Sequence, residues 1–304
     1  MEYEIRTLPL GSTDNIHTLM GKIYIPKGEI KGLFHIVHGM TEYIDRYEHL
    51  FSHLAENGYV AFGFDNLGHG NTARDKKELG FIAHKDGWKY LIHDCIAYSK
   101  AVKEMFPQKP LTLMGHSMGS FITRLAVEHS PDIYNKFIIC GTAGPNPLCS
   151  IGLFLSKAIK TIKGEKHISK MVESLAFGSY NKRFEPLTNY EWLTKDREII
   201  NKYINDEFCN YKFTVSAIID LMKLLSNCNR NEWFKNIKKD LPIFLIAGED
   251  DPVGDYGKGV TTVFERLKAE NCSATLKLYK NCRHEIHNDS CKEEMFSDIL
   301  EFLQ

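Results

Sequence analysis

The decapeptide Leu111–Ser120, LTLMGHSMGS, constrains this chain more than any other stretch. An apolar run leads into Gly115-His116-Ser117-Met118-Gly119, and Phe121, Ile122, Leu125, Ala126 and Val127 then recur at helical spacing. Strand, G-x-S-x-G and helix in that order predict a sharp turn that holds Ser117 in strained backbone angles with its Oγ exposed. A Cβ two residues to either side of the serine would clash, which is why both positions are glycine. The same turn aims the backbone N–H of Met118 at a forming oxyanion. The pattern predicts a nucleophilic serine.

The rest of the chain supplies the scaffold such a turn needs. Apolar runs Leu33–Val37, Tyr59–Phe64, Leu111–Met114 and Phe137–Cys140 alternate with helical patterns over Tyr47–Asn57 and Trp88–Met105. Strands apolar on both faces and separated by helices predict a parallel sheet covered on both sides. Met1–Pro26 reads instead as an antiparallel ribbon opening that sheet. From about Asn146 to Phe234 only amphipathic helical segments and loops are visible. Strand–helix alternation then resumes with Leu241–Ala247, Gly259–Glu270, Thr275–Tyr279 and Lys292–Leu303. The expected organisation is a core of residues 1–145 and 235–304 with an inserted helical lid, 146–234. With 304 residues, the chain is long enough for that arrangement.

A serine hydroxyl needs a base, and the base needs a group to orient it. Strand Leu241–Ala247 runs into Gly248-Glu249-Asp250-Asp251-Pro252, and Thr275–Tyr279 runs into Asn281-Cys282-Arg283-His284-Glu285-Ile286-His287. Ser, acid and His therefore follow one another at the same edge of the sheet, where ligands bind in such folds. Asp250 and Asp251 are adjacent, and carboxylate chemistry alone does not choose between them. His284 stands nearer its strand and is the expected base; His287 is expected to be a capping or surface residue. Met40, in the loop after the Leu33–Val37 strand, is the expected second oxyanion donor. His38 is expected to hold that loop in shape, with Glu42 and Arg46 as candidates to lock it, and His116 to serve packing.

These stretches together resemble the monoacylglycerol lipase and lysophospholipase group of the α/β-hydrolases, often joined to the serine aminopeptidase family. The resemblance covers nearly the whole chain. It rests on HGMTEYIDRY (His38–Tyr47), FDNLGHG (Phe64–Gly70), GHSMGS (Gly115–Ser120), GEDDPVG (Gly248–Gly254) and RHEIHND (Arg283–Asp289). It implies the α/β-hydrolase fold, a mostly parallel central sheet with helices on both faces and an inserted lid. In site residues it implies Ser117 as nucleophile, Asp251 as the acid, His284 as the base, and Met40 and Met118 as oxyanion donors. The implied reaction is cleavage of carboxylic esters, monoacylglycerol or lysophospholipid-type, through an acyl-enzyme, with no metal or organic cofactor. A proline-iminopeptidase-like aminopeptidase, a short-chain carboxylesterase and a non-catalytic binding module of the same fold are the alternatives. For the aminopeptidase, Glu173, Glu185, Glu191, Glu198 and Asp206 are the acids available to meet a substrate ammonium.

In Ile151–Lys163, the residues Ile151, Phe154, Leu155, Ala158, Ile159 and Ile162 form one apolar stripe, with Lys157, Lys160 and Lys163 on the other side. The stripe is expected to pack on the core; lining an acyl pocket or making transient contact with a membrane surface are the sharper readings. Phe213–Leu225 is apolar enough to roof the site. A net charge of −1 gives no reason to expect a nucleic-acid partner. The opening residues lack an apolar signal-peptide core, so a cytoplasmic location is expected. The eight cysteines show no metal-site spacing and read as buried thiols. Oligomeric state has no sequence signature here.

Overall fold

Alternation along the buried strands sorts their side chains into two cores. Residues 2–304 are described, in a computed structural model. Ten strands form: β1 (Tyr3–Thr7), β2 (Leu10–Gly11), β3 (Thr18–Leu19), β4 (Gly21–Pro26), β5 (Gly32–Val37), β6 (Tyr59–Phe64), β7 (Leu111–His116), β8 (Lys136–Cys140), β9 (Ile243–Gly248) and β10 (Ala274–Tyr279). Eight of them make one sheet in the order β1-β4-β6-β5-β7-β8-β9-β10. The β1–β4 and β4–β6 pairings are antiparallel and the remaining five are parallel, so the expected ribbon does open a mostly parallel sheet.

Among the described residues there are ten α-helices: α1 (Glu48–Glu56), α2 (Gly87–Met105), α3 (Met118–His129), α4 (Leu148–Lys163), α5 (Lys170–Phe177), α6 (Arg197–Asn205), α7 (Val215–Cys228), α8 (Asn231–Asn236), α9 (Lys258–Ala269) and α10 (Lys292–Leu303). Leu33 and Val37 of β5, Leu111 and Leu113 of β7, and Ile243, Leu245 and Ala247 of β9 face a core shared with α2, α3, α7 and α9. The intervening Phe34, Ile36, Met114, Phe244 and Ile246 face a second core with α1 and α10. This period of two is what a sheet covered on both faces requires. It is an α/β-hydrolase fold. No helix among the described residues is long and apolar enough to cross a membrane.

Between β8 and β9 the chain forms α4 to α8. The apolar stripe read on α4 packs only in part, with Ile159 against the core. Cys149, Gly152 and Ser156 face inward, while Ile151, Phe154 and Ile162 are 54%, 72% and 81% exposed. Gly152 lies against α7 so closely that a Cβ would stand 3.1 Å from Met222 Sδ. Small side chains let the two helices approach; Leu153 and Ile159 pack at the margin of the core, and Ile151, Phe154 and Ile162 are left outside.

Candidate active site

The candidate residues reach one edge of the sheet because each follows the C-terminal end of a parallel strand. Ser117 separates β7 from α3 at φ 55°, ψ −123°, in the positive-φ region that a side chain rarely adopts. Its N–H donates to the Cys140 carbonyl, 3.0 Å, and its own carbonyl accepts from Ser120 N–H, 2.8 Å. From Leu111 to Val127 every other residue is buried; Ser117 alone is half-exposed. Gly119 faces the Val37 and His38 carbonyls where a Cβ would collide. Met118 opens α3, so its N–H belongs to the positive end of the helix, beside the serine.

The loop after β5 comes against the same turn. A Cβ on Gly39 would be 3.0 Å from Ser117 Cβ, which places Met40 next to the serine. His38 fixes this loop as the sequence suggested: Nδ1–H donates to the Gly39 carbonyl (2.8 Å), and Nε2 accepts from Asn66 N–H (2.9 Å). Asp65 supports it from behind, accepting from Ile44 N–H and Asn71 N–H at 2.8 and 2.7 Å.

The two adjacent aspartates separate clearly. Asp251 is fully buried, accepts from Val253 N–H at 2.8 Å, and takes His284 Nδ1–H on its other oxygen at 2.9 Å. Asp250 turns away toward Lys195, 3.7 Å distant. His284 and Ser117 line the same cavity, of about 600 Å³, walled on the far side by Leu148, Leu175, Phe177, Ile218, Met222 and Leu225. A second cavity of about 430 Å³ shares Met40, Phe177, Trp192, Tyr203 and Ile218 with it.

His287 is corrected from surface to core: it is 2% exposed and stacks on Tyr47 with ring centroids 4.4 Å apart. His116, expected to serve packing, is a polar hub. Its Nδ1 lies 2.9 Å from Tyr47 Oη and 3.1 Å from Glu42 Oε1, and its Nε2 lies 3.2 Å from the His284 carbonyl. With Tyr47 donating to Glu42 (3.0 Å), both ring nitrogens face acceptors, which asks for an imidazolium. Burial alone would lower its pKa; the hydrogen bond and charge of Glu42 outweigh this and hold it above the ordinary value. Glu42 also accepts Gly39 N–H at 2.6 Å and is held well below the usual carboxylate range, burial being outweighed by His116 and Arg46.

Arg46 joins this hub to the histidine loop. It donates two bonds to Glu285, 2.7 and 2.6 Å, and a third to Glu42, 3.2 Å. Glu42, His116 and His287 bring potential metal-ligand atoms within 4.8 Å of one another, but the Glu42 oxygens already accept from Gly39, Tyr47, His116 and Arg46. The cluster is a hydrogen-bond hub. Replacing Arg46 with methionine leaves the nearly fully buried Glu285 carboxylate without its cation and Glu42 with His116 alone, and is expected to cost about 3–5 kcal/mol. The midpoint of urea unfolding measures it, and an unchanged midpoint would contradict the role given to the pair.

Sequence reasoning gave no role to Glu285, Tyr47 or the inserted segment's contacts here. Trp192 packs on His284, centroids 5.2 Å apart, and its carbonyl accepts His284 N–H at 3.3 Å. Glu285 N–H donates to the Leu193 carbonyl at 2.7 Å, and Arg283 Nη1 to the carbonyls of Glu191 and Thr194 at 2.5 and 3.0 Å. Thr194 Oγ1 donates to the Asn288 carbonyl at 2.8 Å. The adjacency of Glu285 to His284 was the only sequence signal for any of this.

Comparison with known proteins gives a consistent picture. The family model for serine aminopeptidase, S33, matches residues 28–291. A monoglyceride lipase homolog of monkeypox virus is 23% identical over 273 residues, 88% of each chain. The monoglyceride lipase of Saccharomyces cerevisiae is 26% identical, covering 90% of this chain and 85% of its own. Among solved structures, a thermostable carboxyl esterase from Bacillus coagulans, in complex with glycerol, superposes with a TM-score of 0.93. It is 29% identical, with 98% of this chain and 97% of that one covered.

Proposed function

Because the chain belongs to the serine aminopeptidase (S33) family, as a monoacylglycerol lipase- and lysophospholipase-like serine ester hydrolase, we propose that Ser117, His284 and Asp251 cleave acyl esters through an acyl-enzyme. Ser117 Oγ attacks the ester carbonyl while His284 Nε2 takes its proton. The imidazolium then hands that proton to the departing alcohol. Asp251 keeps Nδ1 protonated and stabilises the imidazolium. Met40 and Met118 N–H groups meet the oxyanion, and water, activated by His284, releases the acid.

The observation that carries this reading is the 2.9 Å His284–Asp251 bond opening, beside Ser117, into an apolar-walled cavity. Monoacylglycerol or lysophospholipid-type esters are the proposed substrates. Such a wall favours an acyl chain. Glycerol, bound to the Bacillus coagulans esterase, is the alcohol a monoacylglycerol would release. The five acids reserved for a substrate ammonium give no support to a peptidase. None of them lines the main cavity; Glu173 pairs with Lys212 (2.7 Å), Glu191 with Arg197 (2.5 Å), and Asp206 accepts from Tyr43 (2.8 Å). The test is a p-nitrophenyl ester series from acetate to palmitate set against prolyl-naphthylamide. A maximum at medium or long chains supports the reading; a maximum at acetate, or faster amide hydrolysis, overturns it.

The segment 146–234 is proposed to act as the lid and to meet the surface that presents the lipid. Its exposed Leu148, Ile151, Phe154, Ile162, Ile168 and Met171 accompany the exposed Lys157, Lys163 and Lys170, the pairing an interfacial surface needs. Burying one such side chain is worth about 1.5–3 kcal/mol, so Phe154→Asp with Ile162→Asp should cut hydrolysis of micellar monoacylglycerol by about tenfold or more. Hydrolysis of soluble p-nitrophenyl butyrate should be unchanged. An equal fall on both substrates would contradict surface contact.

A further inference from the structure

Thr41 follows Met40 in the loop after β5, and its backbone stands at φ 54°. A β-branched residue in the left-handed region is an outlier, kept there only where surrounding bonds over-determine it. Those bonds are on its hydroxyl. Thr41 Oγ1 donates to the Met40 carbonyl at 2.8 Å and lies 2.7 Å from Tyr203 Oη. A hydroxyl has one proton to give, so Tyr203 is the donor in the second bond. Tyr203 is buried and belongs to α6, within the inserted segment.

We propose that Tyr203 is a positioning residue for the oxyanion hole, acting through Thr41 on the backbone of Met40, an inference that rests on the role given above to the Met40 N–H. The peptide before Met40 is held by His38, whose Nδ1–H bonds the Gly39 carbonyl at 2.8 Å. Because a peptide is planar, fixing that carbonyl also fixes the direction of the N–H at its other end. The peptide after Met40 is held by the Thr41 hydroxyl, and the hydroxyl by Tyr203. With both flanking peptides pinned, the two torsions of Met40 have little freedom left through which its N–H could swing from the serine.

The anchor is itself secured. The Arg46 guanidinium carbon stands 5.0 Å from the centre of the Tyr203 ring, and the Tyr190 ring centre is 5.1 Å away. Asp206, which caps the C-terminal end of α6, accepts Tyr43 Oη–H at 2.8 Å. Thr41, Tyr43 and Arg46 of the oxyanion loop thus each meet α6 or its cap. The inserted segment reaches the histidine loop through residues 191–194 and the oxyanion loop through Tyr203 and Asp206.

An oxyanion donor acts on the transition state and leaves ground-state binding nearly untouched. Loss of its alignment is therefore expected to appear in kcat and not in KM. A tyrosine that touched the substrate directly, from its place on the wall of both cavities, would give the opposite split.

The test is steady-state hydrolysis of a p-nitrophenyl ester by variants of the whole chain. Alongside it, binding of a trifluoromethyl ketone is measured, since its adduct on a serine carries the same oxyanion. Tyr203→Phe keeps the ring and removes the donor. Its kcat should fall by about ten- to a hundredfold with KM within about twofold, and the ketone should weaken by the same factor as kcat. Thr41→Val should lose as much, and Thr41→Ser, which keeps the hydroxyl, should recover most of it. The double variant Tyr203→Phe with Thr41→Val should be no worse than either alone, because both cut one chain of bonds. If the tyrosine variant fails to fold, the threonine pair carries the test. An unchanged kcat, a rise in KM alone, a fall in kcat that the ketone does not follow, or losses that multiply in the double variant would each overturn the proposal. A parent protein that hydrolyses no ester would overturn the catalytic reading and this inference with it, whereas an active parent matched by its variants would overturn this inference alone.

Discussion

Ser117→Ala is expected to lower kcat on p-nitrophenyl esters by about 10⁴- to 10⁶-fold and to abolish labelling by a fluorophosphonate. The thermal midpoint should stay within a degree or two (~0.5 kcal/mol), because alanine keeps the Cβ that already sits at positive φ. Nothing else at the turn depends on the hydroxyl: the serine's N–H and carbonyl make the structural bonds. The remaining rate reports what the oxyanion donors and the cavity contribute by themselves. Activity within about a hundredfold of the parent would show that another group performs the attack.

Acid is expected to unfold the protein cooperatively, with a midpoint between about pH 4 and 5.5. Four buried histidines are held neutral: His35, His69 and His287 are pushed down to about 3 and His38 to about 4, burial being the main cause in each. The unfolded chain binds a proton at each near pH 6.5 while the folded chain refuses it. Their stabilisation is therefore present above pH 6.5 and lost as pH falls toward the folded values. Each costs up to about 1.4 kcal/mol per pH unit, and the four together about 5, against a usual stability of about 5–15 kcal/mol. His116 runs the other way. Its raised pKa gives stability that is complete below 6.5 and lost as pH rises through the folded value, so it adds nothing to the acid loss. Urea midpoints at pH 7, 6 and 5 measure the slope. His35→Phe, which keeps the stack on Phe62, should flatten it by about 1.4 kcal/mol per unit, and a midpoint independent of pH in this range would contradict the account.

Local patterns were legible in the sequence. Short continuous apolar runs such as Leu33–Val37 and Leu111–Met114, alternating with helical patterns, located the sheet, and strand ends followed by Gly or Asp located the loops at its edge. Carboxylate chemistry left Asp250 and Asp251 open and the resemblance alone pointed to Asp251; the backbone trace supplies the physical reason, since one residue's difference reverses which way a side chain leaves a loop. The α4 stripe held only at Ile159, for a reason of packing. Amphipathicity says which face is apolar, whereas the inward face here was chosen by the size of Cys149, Gly152 and Ser156. His287 was misjudged because a histidine three residues from another looks redundant until Tyr47 arrives from 240 positions away to stack on it. Long-range partners leave no local mark.

The five hydrogen bonds between residues 191–194 and the loop that bears His284 have a meaning for descent and for engineering. A recombination that exchanged α4 to α8 between two relatives would cut the Trp192, Leu193 and Thr194 links to His284, Glu285 and Asn288. The two stretches lie some ninety residues apart in the chain, yet they form one heritable unit. Swaps that carry residues 283–289 along with the donor's segment should keep the base in register, and swaps of the helices alone should yield folded chimeras with a displaced histidine.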